Sequence, residues 1–457
     1  MQLARIFQSS LEEMLISKPK TKESKKQALC SLLDELVVFL VCIKGYFLFA
    51  AFSQDNDLLT YSLIGAIGLT VIAKAVYKIF ATTISGCDFG FVIGFALAVY
   101  LYITDAGQAI EIALSLCLGW ITYEKGVAFV AKRVLFWTTA ILLIHVILLL
   151  SGIISPGEQY VRNGEIRQSY GFKHPNSVAI YALSIILLVH LQVDEKSRGV
   201  IVGSTLGSIA LTALTYIASS SRSLLILGLL YSALPLWRKL IKKLDSKPIQ
   251  IAAKLGLPIM LIVNIVLTLL AGDKTSVINV ISGNHYLSAY AYLSNGVSLL
   301  GGAGYIPSAG SEYAWLQADS EMLPLDNYFI LILTQWGILV ALIMCLLWWK
   351  LIDRVLSKKD YSTAAVLLVA LLYGCVSCNP VYSAFSIVSF ELTFAYLIYC
   401  QGILPLYKLK IGKSIRRITA RQGDDSTVII RSDQRNRSLA LWCILLACVS
   451  LTVLQFI

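Results

Sequence analysis

Apolar residues along this chain come in long uninterrupted runs, broken by short polar stretches, instead of recurring along one face of an otherwise polar sequence. A helix needs roughly 20 such residues to cross the hydrocarbon of a bilayer, and about thirteen segments come near that length. They are 31–52, 58–80, 87–104, 108–122, 133–153, 175–193, 199–218, 222–237, 250–271, 326–349, 361–379, 383–406 and 438–457. Composition agrees: 57% hydrophobic and 14% charged residues cannot clothe a soluble domain of this size. The predicted fold is all-α, a polytopic integral membrane protein with one large extracytoplasmic loop.

Lys and Arg next to span ends stay on the cytoplasmic side, so their positions orient the spans. One register satisfies nearly every loop. It places inside Lys18, Lys20, Lys22, Lys25 and Lys26, Lys132-Arg133, Lys196 and Arg198, the run Arg238–Lys247, and Lys350, Arg354, Lys358 and Lys359. Segment 407–437 adds nine Lys or Arg against three Asp. Outside it places Asp55, Asp57, Asp105, loop 154–174, the Ser219–Ser223 turn and loop 272–325, with the N-terminus cytoplasmic and the C-terminus extracytoplasmic. The net charge of +11 is then topology, basic stretches facing anionic lipid headgroups, and no nucleic-acid partner is implied. The chain divides into a leader (1–30), a transmembrane domain (31–406), a basic cytoplasmic segment (407–437) and a last span (438–457).

The leader is polar and charged, unlike a cleavable signal, and Leu3, Ile6, Phe7, Leu11, Met14 and Leu15 recur at helical spacing, as in a helix lying on the inner membrane surface. None of the ten cysteines falls in an outer loop of this register, so free thiols are expected. Cys375 and Cys378 form a CxxC inside an apolar run, where small residues on one helix face account for the spacing. No phosphate-binding glycine loop, dinucleotide fingerprint or HExxH is present, and neither a metal nor a cofactor is expected.

Candidate chemistry therefore lies outside. Arg222, within Ser219-Ser220-Ser221-Arg222-Ser223, occupies a face where cations are scarce, and a guanidinium kept there points to an anion. Loop 154–174 carries Arg162, Arg167 and Lys173 on that same face, followed by His174-Pro175-Asn176. Pro175 fits a helix start, whose free N–H groups and positive dipole end also favour an anion. The loop 272–325 holds Ser282-Gly283-Asn284-His285-Tyr286, a glycine and aromatic stretch, then Glu312, Trp315, Glu321 and Asp326-Asn327. Rings beside carboxylates and amides suit a sugar, whose faces stack while its hydroxyls need partners.

Taken in order, Gly171-Phe172-Lys173-His174-Pro175-Asn176, Ser220-Ser221-Arg222-Ser223, Ser282-Gly283 leading to Leu299-Leu300-Gly301, and Asp326-Asn327-Tyr328 before Gln335-Trp336-Gly337-Ile338 resemble the O-antigen polymerase and ligase superfamily. The resemblance is strongest to its Wzy-type repeat-unit polymerases and covers about 160–340 by motif. Where many relatives carry Arg after the Ser-Gly pair, this chain has Asn284 and His285. The resemblance implies a GT-C-like, inverting, metal-independent glycosyltransferase of the cytoplasmic membrane, serving capsule, exopolysaccharide or O-antigen synthesis. It would move a growing glycan from undecaprenyl pyrophosphate onto the next lipid-linked unit, alongside the flippase and chain-length regulator of the same pathway.

On that footing Arg222, with Arg162, Arg167 or Lys173, would hold the pyrophosphate, and Asn176, Asn284 and Glu321 would complete the substrate contacts. Opposite charges about 4 Å apart gain of order 4 kcal/mol at an effective dielectric near 20, against about 1 in water. The base that takes the acceptor proton is His174, His285 or Asp326. His145 and His190, inside apolar spans, are expected to be packing histidines. The alternatives are the ligase of the same superfamily and a lipid-linked oligosaccharide flippase, though flippases generally show two similar halves.

Overall fold

The computed structural model describes residues 22–51, 57–81, 86–103, 109–157, 159–162, 165–192, 198–243, 246–273, 275–282, 284–301, 325 and 327–375. The last two expected spans and most of the leader lie outside these residues. Helices α1 (Lys22–Phe49), α2 (Asp57–Ala81), α3 (Gly86–Ile103), α4 (Ala109–Thr122) and α5 (Val127–Leu150) follow the first five apolar runs. α1 is the hub of this half, packing on α2, α4 and α5, while α3 pairs with α4.

A two-stranded antiparallel hairpin follows, β1 (Gln159–Arg162) with β2 (Glu165–Gln168). Next come α6 (Pro175–Gln192), α7 (Arg198–Ser219), α8 (Arg222–Ser232), α9 (Leu234–Lys243), α10 (Lys247–Lys254) and α11 (Gly256–Leu270). Short helices α12 (Val277–Ser282) and α13 (His285–Ser294) occupy the first part of what the sequence suggested was a long outer loop. The chain then forms α14 (Tyr328–Leu331), a π turn (Ile332–Trp336), α15 (Ile338–Ser357) and α16 (Tyr361–Tyr373).

Among the described residues, three helices are long and apolar enough to cross a membrane, within Leu58–Tyr77, Phe129–Leu150 and Gly199–Ser219. A fourth candidate is the pair α10 and α11, bent by 58°. Four of the predicted spans are thus less regular than an unbroken run suggests. Run 222–237 breaks at Ala233, run 250–271 bends at Leu255, run 326–349 contains the π turn, and α1 starts well ahead of residue 31. Apolar side chains cover much of the exterior as well as the core. Leu143, Ile147 and Leu150 of α5, Leu206, Leu214 and Ile217 of α7, and Ile262, Val266 and Leu269 of α11 are exposed. Asp34, Lys74, Arg133 and Asn264 are buried. Apolar exteriors, with a few charged and polar groups set inside an otherwise apolar core, are compatible with lipid as the solvent.

Several interior charges have partners. Asp34 of α1 accepts from Lys74 of α2 at 2.6 Å, and Glu35 meets Arg133 of α5 at 3.0 Å with Trp137 Nε1 donating to it at 2.9 Å. Asp88 accepts from Trp120 Nε1 at 2.8 Å, joining α3 to α4. Each pair satisfies groups that would be costly alone in a low-dielectric interior. An apolar cluster unites α6, α8 and α16 through Leu183, Ile186, Leu227, Tyr231, Val366 and Val369.

Candidate functional site

The hairpin was legible in Tyr160-Val161-Arg162 and Glu165-Ile166-Arg167, apolar and polar residues alternating about Asn163-Gly164, the dipeptide preferred in two-residue hairpin loops. It lies within the expected polar loop 154–174. Its consequence is to carry Arg167 inward. Arg167 is 4% exposed; its Nε donates to the Ser219 carbonyl at 2.5 Å and its Nη2 to Asn176 Oδ1 at 2.6 Å. Ser219 is the last residue of α7, where unsatisfied carbonyls gather partial negative charge, so a guanidinium there is favourable. Two of the sequence candidates, Arg167 and Asn176, are thereby locked to the turn that precedes a third, Arg222.

That turn is tight. Ser220 is left-handed (φ 47°), with its N–H donating to Tyr216 at 2.7 Å, and Ser221 is extended, with its carbonyl accepting from Leu225 at 3.0 Å. Arg222 opens α8, and its description extends to the backbone alone. The first turn of α8 offers N–H groups with no intrahelical acceptor. At the turn lies a small cavity, with room for about one water molecule, lined by Ala179, Leu183, Thr212, Thr215, Ser219 and Ser221, among others. Thr212, Thr215 and Ser219 all donate their hydroxyl hydrogens to carbonyls of their own helix, at 2.7–2.8 Å. These three hydroxyls therefore present lone pairs, which suits apolar or hydroxyl-bearing groups and opposes an anion.

His174 stands at the same corner, exposed, with Nδ1 accepting from the Asn176 N–H at 3.1 Å. This bond satisfies an orphan donor of the first turn of α6, with Pro175 in its expected place as the first helical residue. It also commits the ring's acceptor nitrogen, so the proton of neutral His174 lies on Nε2. Lys173 is half-buried, its N–H donating to Phe49 at 2.8 Å, and Ala50 bridges to Phe172, so the loop is stitched to the end of α1. Gly171 (φ 80°) belongs to this stitch, since a Cβ there would stand 2.6 Å from Ile154. Arg162 lies opposite Glu165 at the other end of the hairpin and is placed by its backbone alone. His145 accepts from Tyr46 at Nδ1 and reaches the Tyr170 carbonyl through Nε2, both at 2.7 Å, and stacks on Phe172. His190 contacts Ser208 at 3.2 Å. Both act as packing histidines.

A second group forms around Asn264, a lone amide in the apolar run of α11 whose significance the sequence reading missed. Its Oδ1 accepts from Tyr286 Oη at 2.7 Å and from Asn327 Nδ2 at 2.8 Å, while Asn327 Oδ1 accepts from the Ile330 N–H. Burial pushes the Tyr286 phenol above its ordinary range. Asn284 is left-handed (φ 70°) and precedes α13, which His285 opens as a half-buried residue. Backbone bonds from Ile338 to Ser298 (3.1 Å) and from Leu339 to Leu299 (3.0 Å) join the Leu299–Gly301 stretch to the Trp336–Ile338 stretch. At the mouth of this region Asp273 accepts from the Thr275 N–H (2.8 Å) and hydroxyl (2.9 Å), which hold its carboxyl below the usual range. Asp326 and Glu321 lie outside the described residues.

The candidates thus fall into two groups. Arg167, Lys173, His174, Asn176 and the start of α8 share one corner, and Asn284 and His285 belong to the other. α16 lies between them, packing on α6 and α8 and, through Gly374, accepting from Tyr328 N at 2.9 Å. Among the described residues no three His, Cys, Asp or Glu gather closely enough to hold a metal ion. No family model, curated protein or solved structure matches the chain.

Proposed function

We propose that the protein is a membrane glycosyltransferase that polymerises oligosaccharide repeat units carried on undecaprenyl pyrophosphate, at the outer face of the cytoplasmic membrane. The observation that carries the proposal is the clasp of Arg167 on Ser219 and Asn176, which ties a cation-bearing loop to the turn that starts α8 with Arg222. Arg222 then serves as the pyrophosphate ligand, a forked donor beside the N–H groups of a helix start.

In the reaction an acceptor hydroxyl attacks the anomeric carbon of the donor, a new C–O bond forms, and the bond to pyrophosphate breaks with its electron pair leaving on polyprenyl pyrophosphate. The acceptor proton passes to a base. His285 or Asp326 suits that role better than His174, whose acceptor nitrogen is engaged by Asn176. Energy comes from the pyrophosphate linkage, so no nucleotide site is needed. Thirteen spans in a GT-C-like arrangement, N-terminus inside, complete the proposal.

Lipid analysis of cells lacking the protein tests it: single flipped repeat units should accumulate. Long lipid-linked chains would point to the ligase and unflipped units to a flippase. Arg222→Ala should abolish chain extension while the protein stays in the membrane, and Arg222→Lys should be poor because charge survives without the fork. Wild-type polymer length in Arg222→Ala would defeat the assignment.

A further inference from the structure

Between α8 and α11 the chain runs through two short helices, neither long enough to span a bilayer. In α9, Leu234, Trp237, Leu240 and Ile241 recur at helical spacing, with Arg238, Lys239, Lys242 and Lys243 between them. Lys247 opens α10 and Lys254 ends it, and Asp245 is the one acidic residue from 238 to 254. α9 packs against α16 and α10 against α15. Trp348 Nε1 donates to the Ala253 carbonyl at 3.1 Å, and Lys254 pairs with Asp353 at 2.6 Å while lying 5.8 Å from the Trp349 ring. The 58° bend at Leu255 then turns α10 off the axis of α11.

Lys239 and Lys247 are exposed, as are Lys350, Lys358 and Lys359 at the foot of α15. Leu236 and Ile251 are also exposed, at 67% and 48%, where a protein bathed only in water would bury them. Basic side chains alternating with bare apolar ones, fixed to the ends of apolar helices, match the two layers of a bilayer surface: charged headgroups above, acyl chains below. We infer that α9 and α10 form an elbow that binds anionic phospholipid headgroups. The charge complementarity selects anionic over zwitterionic lipid, and the exposed apolar side chains select a membrane over an acidic soluble partner.

The test uses full-length protein in detergent, with phosphatidylglycerol or phosphatidylcholine added and the unfolding midpoint measured. Phosphatidylglycerol should raise the midpoint by several degrees more than phosphatidylcholine, since a ligand bound only to the folded state stabilises it by mass action. In Lys239→Gln/Lys242→Gln/Lys243→Gln/Lys247→Gln that difference should fall by more than half, because each lysine contributes about fivefold to anionic-lipid affinity. Equal shifts by the two lipids in wild type, or a difference reduced by less than half in the variant, would overturn the inference. Should the quadruple variant not fold, wild type at high salt and Lys247→Gln decide. A preference that survives both screening and the single substitution overturns it equally.

Discussion

Arg167 shows how one side chain can tie two distant segments into a single corner of the fold. Its guanidinium holds a buried carbonyl at a helix end and a half-buried amide on a neighbouring helix. Arg167→Ala leaves these acceptors without the charged donor, a loss of about 3 kcal/mol. The melting midpoint should fall more for Arg167→Ala than for Asn176→Ala, which removes one bond of the clasp. Asp273 offers a pH-dependent counterpart. Its carboxyl is held low by the Thr275 N–H and hydroxyl, so its contribution is complete above the unfolded carboxylate value and is lost as pH falls through the lowered one. Thr275→Ala removes the hydroxyl bond, so in melting midpoints measured across acid pH the loss should be smaller than in wild type and complete at a higher pH.

At the scale of elements, Gly337 ends the π turn with φ 89° and ψ 166°, a conformation that residues with a Cβ avoid. A Cβ there would stand 2.8 Å from the Leu299 carbonyl. Gly337→Ala should therefore cost about 2 kcal/mol or more. Gly65→Ala in α2, where an added Cβ meets nothing, should be neutral or mildly stabilising, and thermal unfolding of both separates backbone strain from a generic effect. Elements such as α2, α5 and α7 were legible because a long apolar run has one main structural solution in a membrane. The breaks were not, since apolarity is blind to bending, although Pro235, Pro248 and Pro258 each sit in the first turn of a helix and mark the restarts. The Arg167 clasp was invisible for another reason: its partners lie 9 and 52 residues away, and nothing in either segment names the other.

Across the described residues, apolar side chains face outward as well as inward and two ion pairs are buried, and the proposed register of basic loops would orient the bundle. In a background freed of native cysteines, Ser155→Cys should react with an impermeant thiol reagent in intact cells, and Lys358→Cys only after permeabilisation. The reverse pattern would invert the orientation and move the Arg167 corner to the cytosol. Asn264 links this scale to the path of assembly. Until Tyr286 and Asn327 arrive, its side-chain amide lacks the two donors it meets in the finished bundle, and both come from chain made after α11. A growing chain that halted before residue 327 would leave that helix half-satisfied in hydrocarbon. Seating of the outer segment and settling of α11 in lipid are therefore one cooperative event, completed only when later parts of the polypeptide have been synthesised.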